Sequence, residues 1–279
     1  MGVVLEFDEP PVVSLATVAM KRASKHTPGA PFPHIEARAR RLLPNPDAYA
    51  RICGFPTTDP LPVTYPDVLA RGLQLAVLTH TDFPLRLMGI IHTEQTIEQR
   101  RAIHPTEALA GRAWVEGPRV ARKGGEFDLH TLISAAGEDV WHGVTTILSR
   151  ELPGDGVKRP HPQEPSWNAT RSVVWPLPAD LGRRYSAVTG DYNPIHLWPV
   201  TARLFGFKRP IAHGWWALAR CVAELDTDVP ANCRIHARFS SPMPMPGKLC
   251  FAAGPMASGG HAFALRRKDV CLSGEVRPG

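Results

Sequence analysis

"GWWALARCVAEL", residues 214–225, is a twelve-residue stretch whose apolar side chains fall on most faces of an α-helix. A helix that is apolar on most faces is buried, because no side of it is suited to water. Four runs with strand character follow it, namely CRIHARFSS, KLCFAAGPMA, HAFALRR and DVCLSGEVR. Short polar turns between such runs predict an antiparallel sheet. The stretch therefore predicts a sheet that wraps around one long central helix.

The first half of the chain repeats this order of elements. PDVLARGLQLAVLTH (66–80) predicts a second buried helix, and four strand-like runs follow it between residues 87 and 150. The segments that precede the helices also correspond, since YARICGFPTTDP (49–60) and YSAVTGDYNPIH (185–196) share Tyr, a helix-like spacing and Gly. The pattern indicates a duplication in which only the C-terminal copy keeps a polar turn. The predicted class is α+β, with two antiparallel sheets that each wrap around a long central helix.

Proline-rich stretches suggest where the domains begin and end. ELPGDGVKRPHPQEPSWNAT (151–170) predicts a semi-rigid linker, and TPGAPFPH marks residues 27 to 34 as the approach to the first core. We therefore expect four parts, which are a partly disordered N-terminal arm (1–33), a first domain (34–150), the linker (151–170) and a second domain (171–279).

Composition excludes several classes of protein. The 43% apolar content can fill real cores, and no apolar run is long enough to span a bilayer. None of the five cysteines forms a CxxC pair, and the N-terminus has no secretory signal, so we expect reduced thiols and a cytoplasmic protein. The net charge of +6 fits an anionic small molecule. Nucleic acid is not expected as a partner, because the basic residues are scattered without interleaved aromatic residues.

The polar turn is GDYNPIH, residues 190–196. Asp191 and His196 are five positions apart. At this spacing two side chains do not share a face in a helix or in a strand. Gly190, Asn193 and Pro194 are turn residues that can bring the two side chains together. A histidine beside a carboxylate is an acid–base pair. From these residues alone, a turn-capping aspartate and a core histidine remain open as alternatives.

Three motifs taken together carry a family resemblance. YSAVTGDYNPIH, the following ARLFGF and IAHGWW resemble the hydratase-2 motif of MaoC-like dehydratases, the R-specific enoyl-thioester hydratases of the hotdog fold. In the first half, VTYPDVL and GIIHTEQTIEQRR resemble the double-hotdog members of that family. The resemblance covers about residues 45–279, with Trp215 as a departure, because the family typically has Met there.

The resemblance implies a reaction and a set of site residues. It implies R-specific hydration of trans-2-enoyl thioesters to (3R)-hydroxyacyl thioesters, or the reverse dehydration, with Asp191 and His196 activating water. Gly214, at the start of the buried helix, is expected to hold the thioester oxyanion with its N–H. Asn193 either orients the water or holds the turn, and His213 is expected only to shape the turn before the helix. No metal and no cofactor are expected.

The resemblance also implies how substrate is bound. Trp215 is expected either to line the acyl tunnel or to pack in the core. Arg203, Lys208 and Arg209 are expected either to contact coenzyme A phosphates or to form a solvated basic face. The substrate would be a thioester of coenzyme A or of acyl carrier protein. The first hotdog is expected to accommodate the acyl chain without a catalytic site of its own, in a chain that can form a homodimer.

Two other functions fit the fold. A hotdog thioesterase would attack the carbonyl with activated water and would not need the pair of Asp191 and His196. A non-catalytic acyl-coenzyme A-binding subunit would have little reason to keep both residues.

Overall fold

The computed structural model describes residues 2–24, 27, 29–157 and 167–279. Strands make up much of this chain, and in sequence order they are β1 (Val3–Phe7), β2 (Ile35–Leu42), β3 (Ile91–Gln99), β4 (Leu109–Ala121), β5 (Gly124–Ala135), β6 (Glu138–Ser149), β7 (Arg171–Leu177), β8 (Cys233–Phe239), β9 (Gly247–Pro255), β10 (His261–Arg266) and β11 (Val270–Pro278). The α-helices are α1 (Leu15–Met20), α2 (Asp47–Cys53), α3 (Tyr65–Leu69), α4 (Arg71–Thr79), α5 (Leu181–Thr189), α6 (Pro199–Leu204) and α7 (Gly214–Leu225). A 3-10 turn at Pro194–His196 lies between α5 and α6.

The chain forms two compact units. Among the described residues, the first unit comprises 2–44, Pro66–Ile97 and 106–157, and the second comprises Asn45–Tyr65, Glu98–Pro105 and 167–279. The sequence placed both Asn45–Tyr65 and Glu98–Pro105 in the first domain (34–150), so the division of the chain differs from a single cut near residue 150. Of the linker expected at 151–170, residues 158–166 lie outside the described residues.

The first unit has a sheet in the strand order β1-β2-β4-β5-β6-β3. β1 pairs with β2 in parallel, whereas β2, β4, β5 and β6 pair antiparallel in sequence. β1 and α1 fall within the arm expected at residues 1–33, so part of that arm carries regular structure. Ser14 caps α1 by accepting a hydrogen bond from the Thr17 N–H at 3.1 Å.

The helix predicted at residues 66–80 is two helices, because α3 and α4 are separated at Ala70. Ala70 has φ −91° and ψ 6°. Its carbonyl accepts a hydrogen bond from the N–H of Leu73, three residues on, at 2.9 Å. The two helices also bury a polar side chain, which the sequence did not predict. The Gln74 amide is buried and donates to the Asp67 carboxylate at 2.7 Å and to the Thr131 hydroxyl at 2.9 Å.

The second unit has an entirely antiparallel sheet in the order β8-β11-β10-β9-β7. Its central helix is α7, in which nine of twelve residues are buried, so the prediction of a buried helix is confirmed. The eight strands predicted after the two helices are also confirmed, as β3 to β6 and β8 to β11. Each unit therefore pairs a sheet with a central helical segment, as the α+β class requires.

The two corresponding segments, residues 49–60 and 185–196, begin within the helices α2 and α5, and both helices lie in the second unit. Each helix ends at a glycine in the left-handed region, Gly54 with φ 82° and Gly190 with φ 72°. The fully buried rings of Tyr49 and Tyr185 have centroids 6.4 Å apart. The shared Tyr and Gly of the two segments thus occupy equivalent places on two helices that pack against each other.

All five cysteines carry free thiols, and four of them are buried. No helix among residues 2–24, 29–157 and 167–279 has the length and apolar character needed to cross a membrane.

Candidate active site

The polar turn follows α5 and is built by short-range hydrogen bonds. The Asp191 carboxylate accepts from the Asn193 N–H at 3.3 Å, and the Asn193 side chain accepts from the Ile195 N–H, also at 3.3 Å. Asn193 is therefore the cap of the 3-10 turn that carries His196, with Pro194 in its first position. Asn193 therefore caps the turn, and its other expected role, orienting a water, stays a prediction.

The backbone of Asp191 is fixed from two sides. Its carbonyl accepts a hydrogen bond from the Ser186 hydroxyl at 2.6 Å and another from Nε2 of His213 at 3.1 Å. Because a carbonyl can only accept, the ring of His213 carries its proton on Nε2. Ser186 and His213 are both buried, so they hold Asp191 from inside the unit.

His196 is buried, with 8% of its surface exposed, and its ring is held in one tautomer. Nδ1 lies 2.7 Å from the carbonyl oxygen of Ile211, which requires a proton on Nδ1. Ile211 is fixed in turn, because its N–H donates to the Ile195 carbonyl at 3.1 Å. In a neutral ring this arrangement leaves Nε2 as the basic nitrogen.

Asp191, His196 and His213 form one cluster. One imidazole nitrogen from each histidine and one carboxylate oxygen of Asp191 all lie within 4.8 Å of one another. The two imidazole rings stack with their centroids 3.7 Å apart. Burial lowers the pKa of His196 below its ordinary value, an effect that the Asp191 carboxylate and the Ile211 carbonyl partly offset. The imidazole is therefore neutral near pH 7 and can accept a proton.

The N-terminus of α7 lies beside this cluster. Gly214 is the first residue of the helix and follows His213 directly. The first hydrogen bond within the helix runs from the Ala217 N–H to the His213 carbonyl at 3.1 Å, so the Gly214 N–H has no partner inside the helix. A Cβ at Gly214 would lie 3.0 Å from the Phe239 ring, so glycine lets that ring pack closely on the start of the helix. The site thus places a histidine and a carboxylate beside the start of a helix, where N–H groups can bind an oxyanion.

Comparison with known proteins agrees with this arrangement. A family model described as "MaoC like domain" matches residues 158–253. The 3-hydroxyacyl-thioester dehydratase X of Mycobacterium tuberculosis is 38% identical over 204 residues, which is 72% of this chain and 72% of that protein. The chain belongs to the MaoC-like dehydratase family. Dehydratases are hydro-lyases, and the chain is accordingly an enzyme of that class.

Solved structures support the same assignment for this MaoC-like dehydratase. The crystal structure of HtdX from Mycobacterium tuberculosis is similar with a TM-score of 0.76 and 32% identity, over 88% of this chain and all of that one. A MaoC-like dehydratase from Phytophthora capsici shares the fold with a TM-score of 0.67 and 23% identity, over 96% and 99% of the two chains. These likenesses confirm the predicted double-hotdog fold.

The structure places the expected substrate-binding residues of this dehydratase in two different settings. Trp215 is buried in α7, with 5% of its surface exposed. Arg203, Lys208 and Arg209 are all exposed, on or just after α6. Of these three, Arg209 donates to the Pro246 carbonyl at 3.2 Å. The three cationic side chains therefore lie on the surface, whereas the Trp215 side chain lies in the interior.

The sequence did not single out three residues that shape the candidate site. Ser186 and Ile211 act through a hydroxyl and a carbonyl, and neither group belongs to a polar motif. Gly182 is required by close packing, because a Cβ there would lie 1.9 Å from the carbonyl oxygen of His196. His213 was expected to shape the turn, and it does more than that, since it also stacks on His196 and bonds to Asp191.

The same cluster has residue types that can bind a metal ion. One nitrogen of each imidazole already bonds to a main-chain carbonyl, Nδ1 of His196 to Ile211 and Nε2 of His213 to Asp191. A cation would therefore be limited to the other ring nitrogens and the Asp191 carboxylate.

Proposed function

We propose that the chain catalyses the reversible hydration of trans-2-enoyl thioesters to (3R)-hydroxyacyl thioesters. The observation that carries the proposal is the cluster of half-buried Asp191 and buried His196, in which Nδ1 of His196 is held by the Ile211 carbonyl, directly beside the start of α7. Membership of the dehydratase family and the name of the mycobacterial relative, a 3-hydroxyacyl-thioester dehydratase, support it.

The chemistry requires three groups, and the site supplies candidates for each. In hydration, Nε2 of neutral His196 takes a proton from a water that Asp191 helps to hold, and the water oxygen forms a bond to C3. The electron pair of the C2–C3 double bond moves toward the thioester carbonyl, whose oxygen becomes negative. The Gly214 N–H donates to that oxygen, which is typically worth about 10²- to 10³-fold in rate. The pair then delivers a proton to C2, so that water has been added with no change in redox state.

The remaining residues bind and position substrate in this proposal. Asn193 holds the turn that sets His196 against Asp191. Trp215, buried in the helix that Gly214 opens, borders the acyl chain. Arg203, Lys208 and Arg209 attract the phosphate-bearing portion of the thioester, since exposed cations raise the local concentration of an anion. The R configuration of the product follows from the family resemblance.

The test is the loss of enoyl absorbance when the purified protein is mixed with crotonyl-coenzyme A. We expect hydration without release of free thiol, and chiral analysis of longer products should show the R alcohol. Thiol release would indicate a thioesterase instead. Binding with neither reaction would indicate a non-catalytic acyl-thioester protein, and an S product would contradict the proposed stereochemistry.

A further inference from the structure

Exposed apolar side chains are concentrated around α6. Tyr192, Trp198, Val200 and Leu204 are 43%, 52%, 68% and 79% exposed, and we call them the α6 surface. They are four of the thirteen large hydrophobic residues that are exposed among the described residues, yet they fall within one short segment of the chain. Scattered exposed apolar residues need no explanation, whereas a cluster of them marks a surface that binds something.

The α6 surface is joined directly to the candidate active site. Trp198 follows His196 by two residues, and α6 packs on the 3-10 turn that carries His196. The Thr201 hydroxyl donates to the Pro194 carbonyl at 2.7 Å and so ties the helix to that turn. A partner bound at α6 would therefore lie beside the catalytic residues.

Trp198 is held in place although half of it is exposed. The Arg183 guanidinium lies 4.0 Å from the centre of the Trp198 ring and donates to the Leu197 carbonyl at 3.1 Å. A cation over an aromatic face restrains both side chains. An aromatic residue that is ordered before binding loses less entropy on binding, which is a property of the anchor residues in protein interfaces.

The charge around the α6 surface is positive. Residues 178–213 contain five cations, Arg183, Arg184, Arg203, Lys208 and Arg209, and only two carboxylates, Asp180 and Asp191. Asp191 is in the candidate active site, and Asp180 is 3.9 Å from Arg184. The segment that contains the α6 surface therefore has three more cations than carboxylates.

We propose that the α6 surface docks an acidic carrier protein, which presents the acyl thioester on its prosthetic arm. This inference rests on the proposed function. Free coenzyme A would satisfy the cations, but aliphatic side chains as exposed as Val200 and Leu204 offer a nucleotide neither hydrogen bonds nor a stacking face. A protein with acidic and apolar side chains on one face complements both parts of the surface. A second copy of this chain is disfavoured, because a two-fold contact would bring the same cations together.

The test compares one acyl group on two carriers. Crotonyl-coenzyme A and an acidic acyl carrier protein loaded with crotonate are used as substrates for Val200→Gln, Leu204→Gln and the wild type. We expect each substitution to lower kcat/KM for the carrier-linked substrate by at least about tenfold, because it replaces an apolar contact with an amide and leaves the charge unchanged. The value for crotonyl-coenzyme A should change by less than about twofold. Val174→Gln is the matched control, since Val174 is 61% exposed on β7, outside the α6 surface.

A binding measurement separates this inference from the proposed function. Holo carrier protein without an acyl group is titrated by calorimetry, and Trp198 provides a fluorescence signal in parallel. We expect binding that weakens as salt is raised and that Leu204→Gln weakens by at least about tenfold. If that holds while neither crotonyl substrate reacts, the proposed function fails and the docking surface stands. Equal losses on both substrates, no loss on either, or no binding of the carrier would overturn the docking proposal. Light scattering and sedimentation with anionic vesicles would then show whether a second copy or a lipid surface takes its place.

Discussion

Two turns in the second unit follow equivalent helices and end differently. α2 and α5 both finish at a left-handed glycine, but Phe55 and Pro60 occupy the positions that correspond to Asp191 and His196. The first turn also has an aspartate beside a histidine, since Nδ1 of His104, from the segment Glu98–Pro105, lies 2.6 Å from the Asp59 carboxylate. Both of those side chains are more than half exposed, whereas His196 is buried.

Under the proposed function, residue types and a short distance are not enough to make an acid–base site. The pair of Asp59 and His104 is closer than many catalytic pairs, but water surrounds it and screens it. His196 differs in its burial, in the stacking of its ring on His213, and in the helix N-terminus beside it. These three properties come from the surrounding fold rather than from the two side chains.

The largest expected effect is on turnover. Asp191→Asn and His196→Gln should each lower kcat by at least about a hundredfold, because each removes half of the acid–base pair. Asp59→Asn and His104→Gln are matched controls with the same chemical changes in the exposed pair. Steady-state kinetics on crotonyl-coenzyme A would check this, with melting curves to verify folding. A variant of Asp191 or His196 that keeps more than a tenth of the wild-type kcat would remove that residue from the chemistry.

A smaller effect is expected from crowding α5. Gly182→Ala places a methyl group 1.9 Å from the His196 carbonyl, so the backbone of the turn must move. We expect the free energy of unfolding to fall by about 1–3 kcal/mol, the usual cost of overpacking. The displaced imidazole should also lower kcat by roughly tenfold. Ala187→Ser, on the exposed side of the same helix, should change neither quantity. Normal turnover in Gly182→Ala would show that the turn tolerates the movement.

The number of sites per chain should be one. Phe55 and Pro60 cannot replace the acid–base pair, and Pro66, which corresponds to Gly214, has no N–H to bind an oxyanion. A non-hydrolysable enoyl-thioester analogue titrated by calorimetry should therefore saturate at one per chain. Two equivalent binding events would mean that the first copy has kept a site.

The smallest expected effect is on the pH profile. Because the pKa of His196 is lowered by burial, the acid limb of kcat/KM for hydration should lie below the ordinary imidazole value of about 6.5. Activity is then complete above that value and is lost as the pH falls through the lowered pKa. Stability should follow the same direction, since the unfolded chain binds this proton more tightly. Asp191→Asn removes a carboxylate that raises this pKa, so its acid limb should move lower still. An acid limb above 6.5 in the wild type would contradict the role of burial.

Periodicity and turn chemistry predicted much of the fold. The burial of α7 follows from the apolar residues on most of its faces, and the turn at GDYNPIH follows from Gly190, Asn193 and Pro194. Strand β2, with the sequence IEARARRL, did not stand out, because its four charged residues hide an alternation that is buried only when β1 and β4 pair with it. The break falls at Ala70, a residue type that favours helix, two residues before Gly72.

The sequence predicted the side chains of the candidate site but not the groups that hold them in place. Asp191, His196 and Gly214 belong to motifs with turn and helix-start residues, so the sequence identifies them. The Ile211 carbonyl and the Ser186 hydroxyl cannot be recognised in this way, since their roles depend on contacts between residues that are distant or unremarkable in sequence. The exposed position of Trp198 is likewise a property of the folded turn.

Within the second unit, hydrogen bonds join the C-terminal sequence to Asn45–Tyr65 and Glu98–Pro105, and this has a consequence for protein engineering. The Trp216 indole donates to the Ile52 carbonyl at 3.0 Å, and the Gln99 amide donates to the Ala231 carbonyl at 3.0 Å. A fragment that begins at residue 167 would lack the partners that Trp216 and Ala231 have in the first half of the chain. A chimera of two relatives joined between residues 157 and 167 would take the two sides of these contacts from different proteins. Exchangeable modules of this fold would instead have to carry Asn45–Tyr65 and Glu98–Pro105 together with the C-terminal sequence.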